Sequence, residues 1–138
     1  MIDVFLAYTQ KDIEKLNNII DNLNSLNSRC NLKYYQPSKD KESVDFLNSL
    51  NDVYLFVVLL SDNSLKSGPV QLEISEAIRL CQLGHIKKIC PIIIDENIDD
   101  FDSRIPGYIK QNIIYHASSQ ILAAQIIEEV VYHELSKA

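Results

Sequence analysis

One acidic residue, Glu73, occupies a place in the chain where a carboxylate can act on a ligand. The segment that contains it reads YLFVVLLSDNSLKSGPVQLEISEAIRLCQL, from Tyr54 to Leu83. It combines an apolar strand, a turn rich in Ser, Asn, Gly and Pro, and an amphipathic helix with Glu73 near its start. In open α/β sheets, ligands bind at the edge where the parallel strands end. The pattern therefore predicts that Glu73 lies at a ligand-binding edge.

The helix that carries Glu73 has clear expected ends and a clear apolar face. Pro69 suits its first turn, and Gly84 suits its end. Ser67 or Gly68 is expected to cap it. The apolar stripe expected to face the sheet contains Val70, Ile74, Ala77, Ile78 and Cys81, with Glu73 on its flank. A purely structural interpretation stays open, because the helix macrodipole favours an acidic residue near the N-terminus.

Other familiar catalytic and metal-binding patterns are missing from the sequence. The three cysteines show no metal or redox spacing and are expected to be reduced core thiols. The three glycines are too far apart for a phosphate-binding loop. The acidic run at 95–102 lacks the glycine and the closing glutamate of a calcium loop, so a solvated loop and no metal site are expected. The three histidines have no partner at a catalytic spacing and are expected at the surface or at a helix end.

The composition is that of one globular domain with an acidic balance. The 138 residues are 46% hydrophobic and 23% charged, which suits a single core. A net charge of −6 argues against nucleic acid as a partner. No apolar run reaches the roughly 18 residues of a membrane span, and the N-terminus lacks the pattern of a signal peptide. A cytoplasmic protein without membrane contact is expected.

Strands and helices alternate along the chain. Strands are predicted at 2–8, 32–36, 53–60, 88–94 and 112–115. Helices are predicted at 12–28, at 41–52, from Pro69 to Leu83, and after a cap at Ser118 or Ser119. This alternation predicts a single domain over 1–138 with a flavodoxin-like, doubly wound, five-stranded parallel sheet, of order 2-1-3-4-5, with helices on both faces. Pro91 predicts a bulge or a nearby edge in the fourth strand.

Three blocks of the sequence resemble, in order, the motifs of TIR (Toll/interleukin-1 receptor) domains. The block DVFLAYTQKD resembles the opening strand of that family, which is followed by polar residues and Asp. The block LLSDNSLKSGPVQLEISEAI resembles the second motif, which has L-S-x-N after a strand and a Glu on the next helix. CPIIID, followed by IPGYI, resembles the third. The resemblance covers residues 2 to 135.

The resemblance implies a prokaryotic, NAD-cleaving TIR domain in which Glu73 is the catalytic residue. The products would be nicotinamide and ADP-ribose or a cyclic isomer, with NAD as substrate and no cofactor. The resemblance places the substrate against the loop after the first strand, at Tyr8, Thr9 and Gln10, and Lys11 is a candidate for its pyrophosphate. One carboxylate can suffice, because nicotinamide leaves as a neutral molecule and needs no proton from a second acid.

Two departures from the family pattern concern substrate binding and assembly. Pro69 stands where many active members have a tryptophan, so Tyr8 is expected to stack against the substrate. The loop at 37–43 is short, and we expect a second copy of the chain to complete the site. The residues expected to take part in this assembly are Lys39, Asp40 and an apolar patch of Leu72, Leu80 and Leu83. NAD and other TIR domains are therefore the expected partners, in an immune or effector setting.

Two other functions remain open at this point. A TIR domain without catalytic activity would signal by homotypic association. A relative with a similar sheet and glutamate would instead hydrolyse or transfer nucleosides. Release of nicotinamide from NAD would distinguish an NAD-cleaving enzyme from the non-enzymatic module. Turnover of nucleosides or nucleotides would reveal the relative that acts on nucleosides.

Overall fold

One parallel sheet forms the centre of the computed structural model, which describes residues 2–26, 30–33, 50 and 53–137. Its strands are β1 (Ile2–Ala7), β2 (Cys30–Lys33), β3 (Leu55–Leu60), β4 (Lys88–Ile93) and β5 (Tyr115–His116). They lie in the order β2-β1-β3-β4-β5, and every neighbouring pair is parallel. This is the predicted α/β arrangement, and the order of the strands is the predicted one.

The fifth strand is much shorter than expected. Four strands have four to six residues, but β5 pairs with β4 only at Tyr115 and His116, whereas a strand was predicted at 112–115. Asn112 is instead held by the short helix before it, because its backbone N–H donates to the Ile109 carbonyl at 3.0 Å. Its side-chain amide also donates to the Tyr108 carbonyl at 3.1 Å. The start of the predicted strand is therefore a helix end.

The helices are α1 (Ile13–Ser25), α2 (Asp62–Leu65), α3 (Gly68–Gln82), α4 (Gly107–Lys110) and α5 (Gln120–Ser136). A 3₁₀ turn at Gln10–Asp12 precedes α1, and Ser119 caps α5 as predicted. The predicted helix at 41–52 lies outside the described residues, apart from Leu50. Among the helices that the structure describes, none has both the length and the apolar character needed to cross a membrane.

Both faces of the sheet are buried, and β3 shows this most clearly, since all six of its residues are buried. Leu55, Val57 and Leu59 face a core shared with α1 and α5. Phe56 and Val58, with Leu60, face a second core that contains the inner side of α3. Full burial of such side chains contributes about 1.5–3 kcal/mol each, so this strand anchors the fold. The continuous apolar run at 53–60 is explained by these two cores.

Pro91 lies next to an open stretch of sheet edge and makes no bulge. The register of β4 against β3 is unbroken from Leu55–Lys88 to Leu60–Ile93. On its other side β4 pairs with β5 only through Ile92 and Ile93, so a proline can be accommodated just before them. The neighbouring Cys90 is buried, and burial raises the pKa of its thiol to about 12, as expected for an unreactive core thiol.

Candidate active site

The helix α3, which follows β3 and α2 in the chain, carries Glu73 in its second turn. Ser67 caps α3 by accepting a hydrogen bond from the Val70 N–H at 3.3 Å, and Pro69 lies in the first turn, as predicted. Gly84, at φ 83°, ends the helix in the left-handed conformation that glycine adopts without strain. Both ends of α3 are therefore set by local sequence, and its apolar stripe decides which of its side chains face the sheet.

Glu73 lies within the buried face of α3 and not on its flank. Its side chain is only 4% exposed, and its buried neighbours on that face are Val70, Ile74, Ala77 and Leu80. Burial raises the pKa of Glu73 to about 8, because the protein interior solvates a charged carboxylate poorly. Among the described residues, no hydrogen bond or ion pair reaches its carboxyl group. Glu73 is therefore largely protonated at neutral pH when no ligand is present.

The segments that follow β1 and β3 begin at the same edge of the sheet, because the two strands are parallel neighbours. The four predicted substrate-binding residues after β1 differ in accessibility. Tyr8 is 7% exposed and packs in the core on the α1 and α5 side, across the sheet from α3. The expectation that Tyr8 stacks on a ligand beside Glu73 is therefore wrong. Thr9 is also buried, whereas Gln10 and Lys11 are exposed and remain candidates for ligand contact.

Asp12 is a residue of this edge to which the sequence patterns gave no role. It is 5% exposed, and it accepts a hydrogen bond from the Ser61 hydroxyl at 2.5 Å and another from the Asn63 side chain at 3.2 Å. A signal was present, since Asp12 closes the first TIR-like block while Ser61 and Asn63 follow β3 in the second. The hydrogen bonds from Ser61 and Asn63 to Asp12 therefore connect these two blocks directly.

The family is decided by a match to the model of the TIR domain, which covers residues 4–121. The chain belongs to the TIR domain family. No curated protein sequence matches it.

Solved structures show the same fold at low identity. The TIR domain of the Toll-related receptor TRR-2 from Hydra magnipapillata matches with a TM-score of 0.59 and 13% identity, over 99% of this chain and 97% of that one. The CMP N-glycosidase BcmB of Clostridium botulinum matches with a TM-score of 0.59 and 13% identity, over 92% of this chain and 98% of that one. At this identity, the similarity establishes the fold alone.

A second polar network holds the loop after β4 against α2 of this TIR domain. Arg104 donates to the Asp62 carboxylate at 2.9 Å and also pairs with Asp102 at 2.8 Å. The Arg104 guanidinium lowers the pKa of Asp102 to about 2. The Asp62 N–H donates to the Asp95 side chain at 2.9 Å. The acidic run is therefore a hydrogen-bonded loop, and within the described residues no acidic, Cys or His cluster could hold a metal ion.

The three leucines expected to mediate assembly of this TIR domain do not form one exposed patch. Leu72 and Leu83 are exposed, at 50% and 60%. Leu80 is only 3% exposed and packs in the core beneath α3, so its place in the predicted patch is wrong. Lys39 and Asp40, with the loop at 37–43, lie outside the described residues.

Proposed function

We propose that this TIR domain cleaves the nicotinamide–ribose bond of NAD, with Glu73 as the catalytic residue. The products are nicotinamide and ADP-ribose or a cyclic isomer. The observation that carries the proposal is one buried carboxyl group, 4% exposed, on a helix that follows β3. In open α/β sheets the segments that follow the strands line the ligand-binding edge. The pKa of Glu73, raised to about 8 by burial, is typical of functional carboxyl groups.

The charge of the substrate suits a carboxyl group of this kind. NAD carries a positive pyridinium nitrogen at the bond to be broken. A positive charge beside a carboxyl group lowers its pKa, so binding of NAD promotes ionisation of Glu73 in a site that solvates the anion poorly. As nicotinamide leaves, positive charge develops on the ribose, and the Glu73 carboxylate stabilises it. The carboxylate can also accept hydrogen bonds from the ribose hydroxyl groups.

The pyrophosphate of NAD requires cationic or N–H groups, and the start of the first helical segment offers both. Lys11 is exposed within the turn Gln10–Asp12, which leads directly into α1. Backbone N–H groups at a helix start favour an anion. In this proposal Lys11 and Gln10 bind the pyrophosphate end of the substrate, and Glu73 acts on the other end.

A second candidate is an N-glycosidase that acts on a nucleotide. The structural neighbour BcmB is a CMP N-glycosidase of the same fold. A neutral pyrimidine is a poor leaving group unless it receives a proton. With a pKa of about 8, Glu73 is protonated at neutral pH and can donate one as a general acid. The protonation state of Glu73 that favours a nucleotide is thus the opposite of the state that favours NAD.

The proposed setting is a cytoplasmic, prokaryotic immune or effector system in which self-assembly activates the domain. The exposed Leu72 and Leu83 supply apolar surface for such contacts. A non-enzymatic module that signals by homotypic association is the alternative, and it predicts that no N-glycosidic substrate is cleaved.

Incubation of concentrated wild-type protein with NAD or CMP, followed by chromatography, tests the proposal. Free nicotinamide with little free cytosine supports NAD as substrate. Free cytosine without nicotinamide favours the nucleotide N-glycosidase. If neither base is released at any protein concentration, the enzymatic proposal fails and the interaction module remains.

A further inference from the structure

The side chain of Asp12 is directed away from its own helix. Asp12 occupies the N-cap position of α1, where an aspartate usually accepts a hydrogen bond from the first turn. In this structure it makes no cap hydrogen bond. Its two carboxyl oxygens instead accept from Ser61 and Asn63, which follow β3. A cap bond of α1 is thus replaced by a connection between the 3₁₀ turn before α1 and the start of α2.

The connection continues from Ser61 to the helix of Glu73. Ser61 caps α2 by accepting from the Ser64 N–H at 2.9 Å, while its hydroxyl hydrogen is directed to Asp12. The Ser64 carbonyl accepts from the Ser67 N–H at 3.0 Å, and Ser67 caps α3. Each link in this series is one of the hydrogen bonds given above. The side chains of Asp12 and Ser61 are both buried. Asp12 is therefore linked by a short series of bonds to the start of the helix that carries Glu73.

We propose that Asp12 is a positioning residue that holds the 3₁₀ turn bearing Gln10 and Lys11 in a fixed relation to Glu73. The inference rests on the proposed N-glycosidase function, in which these two elements hold opposite ends of one substrate. A misplacement of about 1 Å between reacting groups costs on the order of 100-fold in rate. Loss of the connection should therefore slow the chemical step, although Asp12 itself contacts no reacting atom.

The test compares two substitutions at Asp12 with NAD as substrate. Asp12→Ala removes both acceptors and should lower kcat by about 10- to 100-fold, with a much smaller change in KM. Asp12→Asn keeps the shape, and after rotation of the Asn63 amide it can retain both hydrogen bonds. It should recover most of the wild-type kcat. Asn63→Ala removes only one of the two hydrogen bonds and is a milder variant if Asp12→Ala does not fold. Its kcat should fall by about 3-fold or more.

Tyr54→Phe is the matched control, because it also removes a hydrogen bond to a buried carboxyl group. The Tyr54 hydroxyl donates to Glu134 at 3.4 Å, near the start of β3 and so at the other end of the sheet. The midpoint of thermal unfolding of Tyr54→Phe should fall, whereas its kcat per folded molecule should not change.

The outcomes separate the inference from the proposed function. Wild-type turnover with an unchanged kcat in Asp12→Ala and Asn63→Ala overturns the positioning role and leaves the function intact. An Asp12→Asn variant as slow as Asp12→Ala also overturns it, because charge and not position would then matter. If wild-type protein cleaves neither NAD nor CMP, the proposed function fails and the inference fails with it.

Discussion

Glu73 and Leu80 lie two helical turns apart on the same buried face of α3, where their side chains are 4% and 3% exposed. A separation of seven residues is close to two turns of 3.6 residues, so a helix that buries one also buries the other. This relationship places the candidate catalytic residue among core side chains. It also means that Leu80 is not part of the exposed surface that was expected to mediate assembly.

Substitution of Leu80 should affect stability much more than substitution of its exposed neighbour. Leu80→Ala leaves a cavity in the core beneath α3 and should lower the free energy of unfolding by about 2–5 kcal/mol. Leu72→Ala, at a half-exposed position, should change it by less than about 0.5 kcal/mol. Urea denaturation of the two variants measures the difference, and equal losses would show that Leu80 is not a core residue.

Self-assembly predicts that specific activity depends on protein concentration. A weak interface is populated by mass action, so wild-type turnover per molecule should rise as the protein is concentrated. Leu83→Glu introduces a charge on an exposed apolar side chain and should weaken that dependence without unfolding the domain. A wild-type specific activity that is constant over the whole concentration range would contradict activation by assembly.

Burial of Glu73 predicts a pH-dependent stability. Its pKa rises from 4.5 to about 8 on folding, so the folded state binds the proton more tightly than the unfolded state. The resulting stabilisation is complete below pH 4.5 and is lost as the pH rises to about 8, by about 1.4 kcal/mol per pH unit. Glu73→Gln lacks this titration. Its free energy of unfolding should therefore fall less than that of the wild type over this interval, and parallel curves would contradict the raised pKa.

The same titration predicts opposite pH profiles for the two candidate substrates. Cleavage of NAD uses the ionised form of Glu73, so kcat/KM should increase up to a pH of about 8. Cleavage of CMP uses the protonated form, and its kcat/KM should decrease above that pH. A profile of kcat/KM that is flat through this region, with either substrate, would mean that Glu73 does not titrate in the catalytic step.

Much of the fold follows from local pattern, since β3 is an unbroken apolar run and α3 has its own cap and stop signals. Features set by tertiary contacts could not be predicted in the same way. The length of β5 depends on the attachment of Asn112 to the helix before it. The strand pattern of β1 continues into Tyr8, but only the packing of α1 and α5 decides that its ring belongs to the core.

The sequence proposed a central residue for the candidate site but gave less information about its surroundings. The strand–turn–helix pattern made Glu73 a candidate, and the resemblance to TIR domains gave it a catalytic role. Its degree of burial depends on how α3 packs on the sheet. Asp12 has the residue type and position of a helix cap. It instead accepts a hydrogen bond from Ser61, which lies 49 residues further along the chain. No local spacing predicts such a contact, because it arises from the parallel pairing of β1 and β3.

The most direct measurement is the rate of nicotinamide release from NAD by Glu73→Gln, compared with wild type and with Glu76→Gln. Glu76 lies on the same helix, where it pairs with Arg79, and serves as the matched control. Glu73→Gln keeps the shape of the side chain and removes its charge, so turnover should fall by about 100-fold or more while Glu76→Gln stays close to wild type. A folded Glu73→Gln protein that releases nicotinamide at the wild-type rate would contradict the assignment of Glu73 as the catalytic residue.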